Sequence, residues 1–164
     1  MLFRSEHVVL LPISRTDEER ATVLEACRKL ERELAAQTFA DEPVRVKLDA
    51  RDIRGGDKVW QHVKQGVPLR VEVGPRDLAA GTVSVSRRDR GPKEREAVPF
   101  GAFADRVPAL LDEIQRGLFE KARNYRDARS VRLASRAEVV DYFGTGDAAA
   151  GQAGFAHVHV RSEE

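Results

Sequence analysis

Residues 7–13, His-Val-Val-Leu-Leu-Pro-Ile, form a short and nearly unbroken apolar run. A run of this length, rich in valine, suits a strand buried on both of its faces, and such a strand needs other elements packed above and below it. A helix pattern follows at once. Ser14 and Thr16 offer N-caps, and Asp17, Glu18 and Glu19 sit where a first helical turn favours negative charge. Val23, Cys27, Leu30 and Leu34 then recur at spacings of three and four, marking one buried stripe that ends near Gln37. The pattern predicts an α/β chain, and 164 residues are enough for one such domain with a short appendage. A charged fraction of 34% beside 41% apolar residues excludes a collagen-like or wholly disordered chain.

The following segments extend that alternation. Phe39-Ala40-Asp41-Glu42-Pro43 breaks the helix, and Val44, Val46 and Leu48 then alternate with polar residues as a strand with one wet face. Gly55-Gly56 precedes a short helix over Asp57–Gln65, which Gly66 stops. Pro68 to Val73 is the next strand, with Leu69, Val71 and Val73 opposite Arg70 and Glu72. Gly74-Pro75-Arg76-Asp77-Leu78 turns into a helical corner that Gly81 ends. A hairpin over Thr82–Arg87 and Arg95–Val98 encloses Arg88 to Lys93. From Phe103 a long helix carries a stripe of Val107, Leu110, Leu111, Ile114, Leu118, Ala122 and Tyr125, in which Pro108 is tolerable only near the first turn. Together these predict a mixed sheet flanked by helices over residues 6–130, with 131–164 as an appendage. In the appendage Arg136–Phe143 reads as a short helix and the Gly/Ala-rich stretch 144–154 as a mobile linker. Phe155 to Val160 alternates like a strand but has no evident partner, so the end of the chain reads as the opening of a further domain.

The chemistry is sparse. Cys27, the single cysteine, cannot form an internal disulfide or a cysteine-based zinc site, and on an apolar helix stripe it reads as a buried small hydrophobe. That points to a reducing cytoplasm, in keeping with the absence of a signal-peptide start or a membrane-length apolar run. His157 and His159 share a strand face without a third ligand nearby, so no metal is expected. Ser84 and Ser86 have no adjacent base, and neither Gly55-Gly56 nor Gly74-Pro75 fits a phosphate-binding loop. The net charge of +1 gives no argument for nucleic acid, so the distribution of charge has to decide. Between Arg45 and Arg95 there are thirteen Lys and Arg against seven acids, which reads either as a phosphate-facing surface or as an ordinary solvated one.

Val44-Arg-Val-Lys-Leu-Asp-Ala-Arg-Asp52, then Lys58, then Gly66-Val-Pro-Leu-Arg-Val-Glu-Val-Gly-Pro-Arg-Asp-Leu78 resemble the anticodon-binding domain of prolyl-tRNA synthetases that carry a C-terminal extension. Val8-Val-Leu-Leu-Pro-Ile13, the Lys93-Glu94 hairpin and Leu118-Phe-Glu-Lys-Ala-Arg-Asn-Tyr-Arg126 extend the likeness over residues 6–129. The resemblance implies a five-stranded mixed sheet that reads the guanines of a proline anticodon. It carries over Arg70, Asp77 and Lys93 as anticodon contacts. An aspartate accepts from guanine N1–H and N2–H2, while Arg and Lys donate to O6, N7 or phosphate. Trp60, His62, Arg76 and Arg88 are further candidate RNA contacts. Where family members have Trp-Glu-Leu-Lys-Gly, this chain has His62-Val63-Lys64-Gln65-Gly66, so Val63 replaces a base-contacting carboxylate and Trp60 or His62 is left to supply stacking. The cysteines that hold zinc in the family's extension are absent from this sequence.

The implied whole is a bacterial prolyl-tRNA synthetase, a homodimer using ATP and Mg2+, of which this chain is a C-terminal piece that binds proline tRNA without itself catalysing. The piece is expected to need no cofactor and to be monomeric. A free-standing anticodon-binding-like regulator is the alternative, and a small-molecule α/β enzyme with a deep polar pocket at its strand ends is a second rival.

Overall fold

The computed structural model describes residues 6–91, 94–144 and 154–158. The chain divides into two compact units, Met1–Gly117 and Leu118–Glu164, with the division inside one helix.

The first unit begins with β1 (Val8–Pro12), α1 (Asp17–Ala35), the two-residue strands β2 (Thr38–Phe39) and β3 (Glu42–Pro43), and β4 (Val46–Leu48). It continues through α2 (Gly55–Lys64), β5 (Leu69–Val73), α3 (Pro75–Ala79), β6 (Thr82–Arg87), β7 (Glu96–Pro99) and the start of α4 (Phe100–Asp127). Five strands form one sheet in the order β4-β1-β5-β6-β7, parallel between β1 and its two neighbours and antiparallel beyond β5. This is the five-stranded mixed sheet flanked by helices that the sequence predicts.

Val8, Val9, Leu10 and Leu11 of β1 are all 0% exposed, so both faces of the sheet are covered there. The strand order explains how. The chain leaves β1 to form β4 on one side, then crosses to β5 on the other, and right-handed crossovers in opposite directions put α1 and α2 on opposite faces. Val59 of α2 packs on Val9, Leu11 and Val67. Opposite α2, Val23, Cys27, Leu30 and Leu34 of α1 are buried as the stripe predicts. Thr16 is the cap of α1, its Oγ1 accepting from the Glu19 N–H at 3.2 Å. On α4, Glu113 accepts from Arg87 of β6 at 2.8 Å and Arg106 donates to Glu96 of β7, which ties that helix to the sheet.

Two features of this unit differ from the sequence expectation. The break after α1 is a two-residue hairpin turn, with Ala40 at φ 51° and Asp41 at φ 64°. Two left-handed residues are what a type I′ turn demands, and without the usual Asn-Gly pair the sequence shows only an interruption. Helix α4 starts directly after β7, so Pro108 falls in its third turn and not near its first. There the ring removes the N–H that would bond the Ala104 carbonyl.

The second unit holds the rest of α4, then β8 (Ser130–Leu133), α5 (Arg136–Gly144) and β9 (Phe155–Val158). The segment at 155–158 does have a partner: β9 pairs in parallel with β8, Phe155 opposite Ser130. Four residues with only Val131 and Leu133 apolar gave β8 too weak a pattern to be read as a strand. The buried stripe of α4 runs from Phe103 to Ile114 and does not reach Tyr125, which is 54% exposed with the Arg129 guanidinium 3.7 Å from its ring centre. The expected linker, apart from Gly144 and Gly154, and His159 with it, lie outside the described residues. A Cβ on Gly154 would collide with the Tyr142 hydroxyl and stand 2.7 Å from the Arg129 carbonyl, the group that also accepts from Phe155 N–H. Gly154→Ala is therefore expected to destabilise the β8–β9 pair by about 1–3 kcal/mol. Hydrogen exchange should show faster amide exchange at Phe155 with the first sheet unchanged, and unchanged exchange at Phe155 would contradict the packing.

Candidate nucleic-acid interface

The order β4-β1-β5 makes the ends of β1 and β5 a switch point, where connections leave in opposite directions and open a crevice beyond the strands' carboxyl ends. A groove of about 390 Å3 lies there. Arg15 and Glu19 line it from the start of α1, Arg76 and Asp77 from α3, Glu72 from β5 and Arg95 from the approach to β7. Three arginines and three carboxylates leave it without net charge.

Each acid has a defined attachment. Glu19 accepts from the Arg15 N–H at 2.9 Å. Glu72 accepts from Arg95 Nη1 at 2.8 Å. Asp77 Oδ2 accepts from the Gly74 N–H at 3.0 Å, which closes the first turn of α3 behind Pro75. A side chain on Gly74 would bring a Cβ to 3.2 Å from that oxygen, so the glycine lets the carboxylate fold back. Asp77 Oδ1 accepts no hydrogen bond among the described residues, and the Arg76 guanidinium, exposed at the rim, has no ion pair among them. Thus Asp77 is both a helix cap and a half-free acceptor.

Arg70 is not on this surface. It is 4% exposed, with Nη1 donating to the Val67 carbonyl at 3.3 Å, Nη2 to the Arg87 carbonyl at 3.4 Å, and Nε without a partner among the described residues. The alternation of β5 does set it opposite Leu69 and Val71, but its cross-strand neighbours Val9 and Ser86 are themselves buried, so that side is closed at this position. Burial pushes its pKa down, with Glu72 opposing. In this conformation Arg70 joins the start of β5 to the end of β6. Lys93 lies outside the described residues.

His62 is also internal, at 1% exposed, and does not offer a ring to solvent. Its Nε2 lies 2.9 Å from Asp49 Oδ2 and its Nδ1 3.1 Å from Gln65 Oε1. Asp49, 2% exposed, receives Arg51 Nε at 2.7 Å, and its carbonyl accepts from Lys58 Nζ at 3.3 Å. The Arg51 guanidinium holds the Asp49 carboxyl well below the usual carboxylate range, against burial, and His62 adds to the effect. Burial pushes Lys58 down. Lys58 and His62, four apart on α2, are the buried residues of that helix, so polar side chains share its inward side with the partly buried Val59. Trp60 points out at 56% exposed, with Lys64 Nζ 5.8 Å from its ring centre. Arg88 is exposed, donating to the Gly66 carbonyl at 3.2 Å, and Gly66 takes φ +72° against that guanidinium.

The structure thus unites Asp77 and Arg76 in one groove and sets Trp60 and Arg88 on exposed surface, while Arg70 and His62 turn inward. Arg15, Glu19, Glu72, Arg95 and the Asp49 cluster were not singled out from sequence. The one available signal was position: Asp49 ends a strand next to Arg51, and Glu72 sits opposite the core face of β5. Among the described residues no His/Cys/Asp/Glu group is arranged to hold a metal ion, and no helix is long and apolar enough to cross a membrane.

The family model described as an anticodon binding domain matches residues 7–110, which covers the sheet and the groove. The chain belongs to this anticodon-binding family. Among similar proteins, the proline–tRNA ligase of Bdellovibrio bacteriovorus is 51% identical over 152 residues, covering 93% of this chain and 30% of that protein. Proline–tRNA ligase 2 of Anaeromyxobacter dehalogenans is 46% identical over 138 residues, covering 84% and 27% respectively. That of Rhodopirellula baltica is 44% identical over 158 residues, covering 96% and 31%. The chain therefore spans less than a third of the length of these relatives. As an anticodon-binding domain it is placed by sequence with the prolyl enzymes.

Proposed function

We propose that this chain selects and positions proline tRNA by its anticodon for a prolyl-tRNA synthetase. In this reading the catalytic work, with ATP and Mg2+, belongs to a part of the enzyme outside this sequence. The whole enzyme is a cytoplasmic homodimer, this chain is a cofactor-free monomer in isolation, and its contribution is to specificity.

The observation that carries the reading is the composition of the switch-point groove. A phosphate site would be cationic, whereas this groove balances three arginines with three acids and so offers donors and acceptors to a neutral polar heterocycle. Its volume of about 390 Å3 lies within the roughly 300–1,000 Å3 of small-molecule pockets and suits a base splayed out of a loop, the form in which single-stranded RNA is read. Asp77 Oδ1 is the acceptor for guanine N–H groups, and the cations Arg76, Arg88 and Lys93 serve the phosphates. Among the described residues the carboxylates of the groove are already engaged, Glu19 by the Arg15 N–H, Glu72 by Arg95 and Asp77 by the Gly74 N–H, and none accepts from Ser14 or Ser84, which favours this reading over that of a small-molecule enzyme. Chemical probing of proline tRNA with and without the chain tests the proposal. The anticodon guanines should become protected, and protection confined to the acceptor stem would contradict it.

Trp60 offers a second contact, a ring beside Lys64 on which a flanking base can stack. Trp60→Ala should weaken tRNA binding by about 1–3 kcal/mol without lowering the melting temperature, because the ring is mostly exposed. An unchanged affinity would remove Trp60 from the interface.

A further inference from the structure

We infer that the Glu72–Arg95 ion pair is a base-reading element of the groove, closed on itself in the free chain and opened by a guanine. The inference rests on the reading of the groove as an anticodon site and goes beyond the residues carried over by resemblance. Glu72 projects from β5, a central strand, yet its side chain is 16% exposed and faces the groove; Arg95 reaches it across β6 and is half exposed. In the register of the sheet Glu72 stands opposite Ser84, another groove residue, so a floor of the groove is made of polar side chains on the two middle strands.

A pair of this kind has the hydrogen-bonding pattern of one base edge. The carboxylate needs two adjacent N–H donors, and the guanidinium needs an acceptor beside them. Guanine presents N1–H, N2–H2 and O6 along a single edge, whereas cytosine has one amino group and uracil one N–H. Opening the pair exchanges Glu72–Arg95 contacts for Glu72–N1/N2 and Arg95–O6 contacts, so neither charge is left unpaired when the base enters. Phosphate is disfavoured at the same place, because Glu72 would face it. Proline codons begin with two cytosines, so any proline tRNA offers two adjacent guanines to such a reader.

The test uses the chain as it stands and a hairpin RNA bearing a proline anticodon, with inosine replacing each guanine in turn. Inosine lacks only the N2 amino group. At one of the two positions inosine should weaken wild-type binding by about tenfold, and Glu72→Gln should weaken binding of the guanine hairpin by a similar factor. Inosine in that position should then cost Glu72→Gln nothing further. Multiplying losses, or no effect of inosine at either position, would overturn the inference. Arg95→Met, which removes the guanidinium while leaving Glu72 in place, should weaken guanine and inosine hairpins alike through O6; full retention of affinity would also overturn it. If wild-type protein does not prefer the proline anticodon at all, the reading of the groove itself falls, whereas a preference without Glu72 coupling removes this inference alone.

Discussion

Asp49→Asn is expected to lower the stability of the sheet unit by about 3 kcal/mol, a large part of the ~5–15 kcal/mol that holds a domain of this size. The carboxylate is 2% exposed and meets His62 and Arg51 at once. An asparagine of the same shape keeps one acceptor but turns an amide N–H2 toward a group that donates, and it removes the charge that compensates the buried Lys58 nearby. The half-exposed head of Arg51 stays solvated after the change, which keeps the loss at the lower end of the range for broken buried pairs. The pH dependence has a fixed sign. The folded-state pKa of Asp49 is depressed, so its contribution is complete above the unfolded value near ~3.9 and is lost as pH falls toward the folded value. Wild-type melting temperature should drop progressively below about pH 5, and the Asp49→Asn protein should show a shallower acid slope over the same interval. Parallel slopes would show that Asp49 is not the titrating group.

Asp77→Asn should separate capping from base reading. The asparagine oxygen can still accept from Gly74 N–H, so stability should change by less than about 0.5 kcal/mol. Its amide nitrogen then replaces Oδ1 in the groove, a donor where guanine also donates. Discrimination between proline tRNA and a tRNA with one anticodon guanine replaced by adenine should fall by about 1–3 kcal/mol. Asp77→Ala should lose the same discrimination and in addition about 1 kcal/mol of stability from the uncapped turn of α3. Calorimetry of the two variants beside a binding titration distinguishes the effects. An Asp77→Asn protein with intact discrimination would confine Asp77 to its structural role.

Where the sequence could be read, it was read through apolar spacing. The stripe Val23, Cys27, Leu30, Leu34 and the run from Val8 to Leu11 located α1 and β1, because burial there is achieved by apolar residues alone. Apolar spacing says little of α2, whose buried residues are Lys58 and His62 and whose ends are marked instead by Gly55-Gly56 and Gly66. Only the meeting of β4 with α2, which puts Asp49 against His62, makes that polar face internal. Arg70 shows a related limit. Alternation states which face of β5 it occupies, but whether that face is wet depends on the neighbours that strand order supplies, Val9 and Ser86. The groove follows from strand order as well, since a switch point exists once β1 lies between β4 and β5. Asp77 is a candidate through the family resemblance, and Gly74-Pro75 before it marks only the turn that it caps.

The most direct measurement of the central claim is the affinity of this chain for proline tRNA beside the same tRNA with both anticodon guanines replaced by adenines, across a range of salt concentrations. The account predicts tighter binding of the unaltered tRNA by about 2–6 kcal/mol, taking about 1–3 kcal/mol for each base, with a difference that persists as added salt weakens both complexes. Equal affinities at every salt concentration would contradict it, reducing the basic segment to a surface that binds phosphates without reading bases.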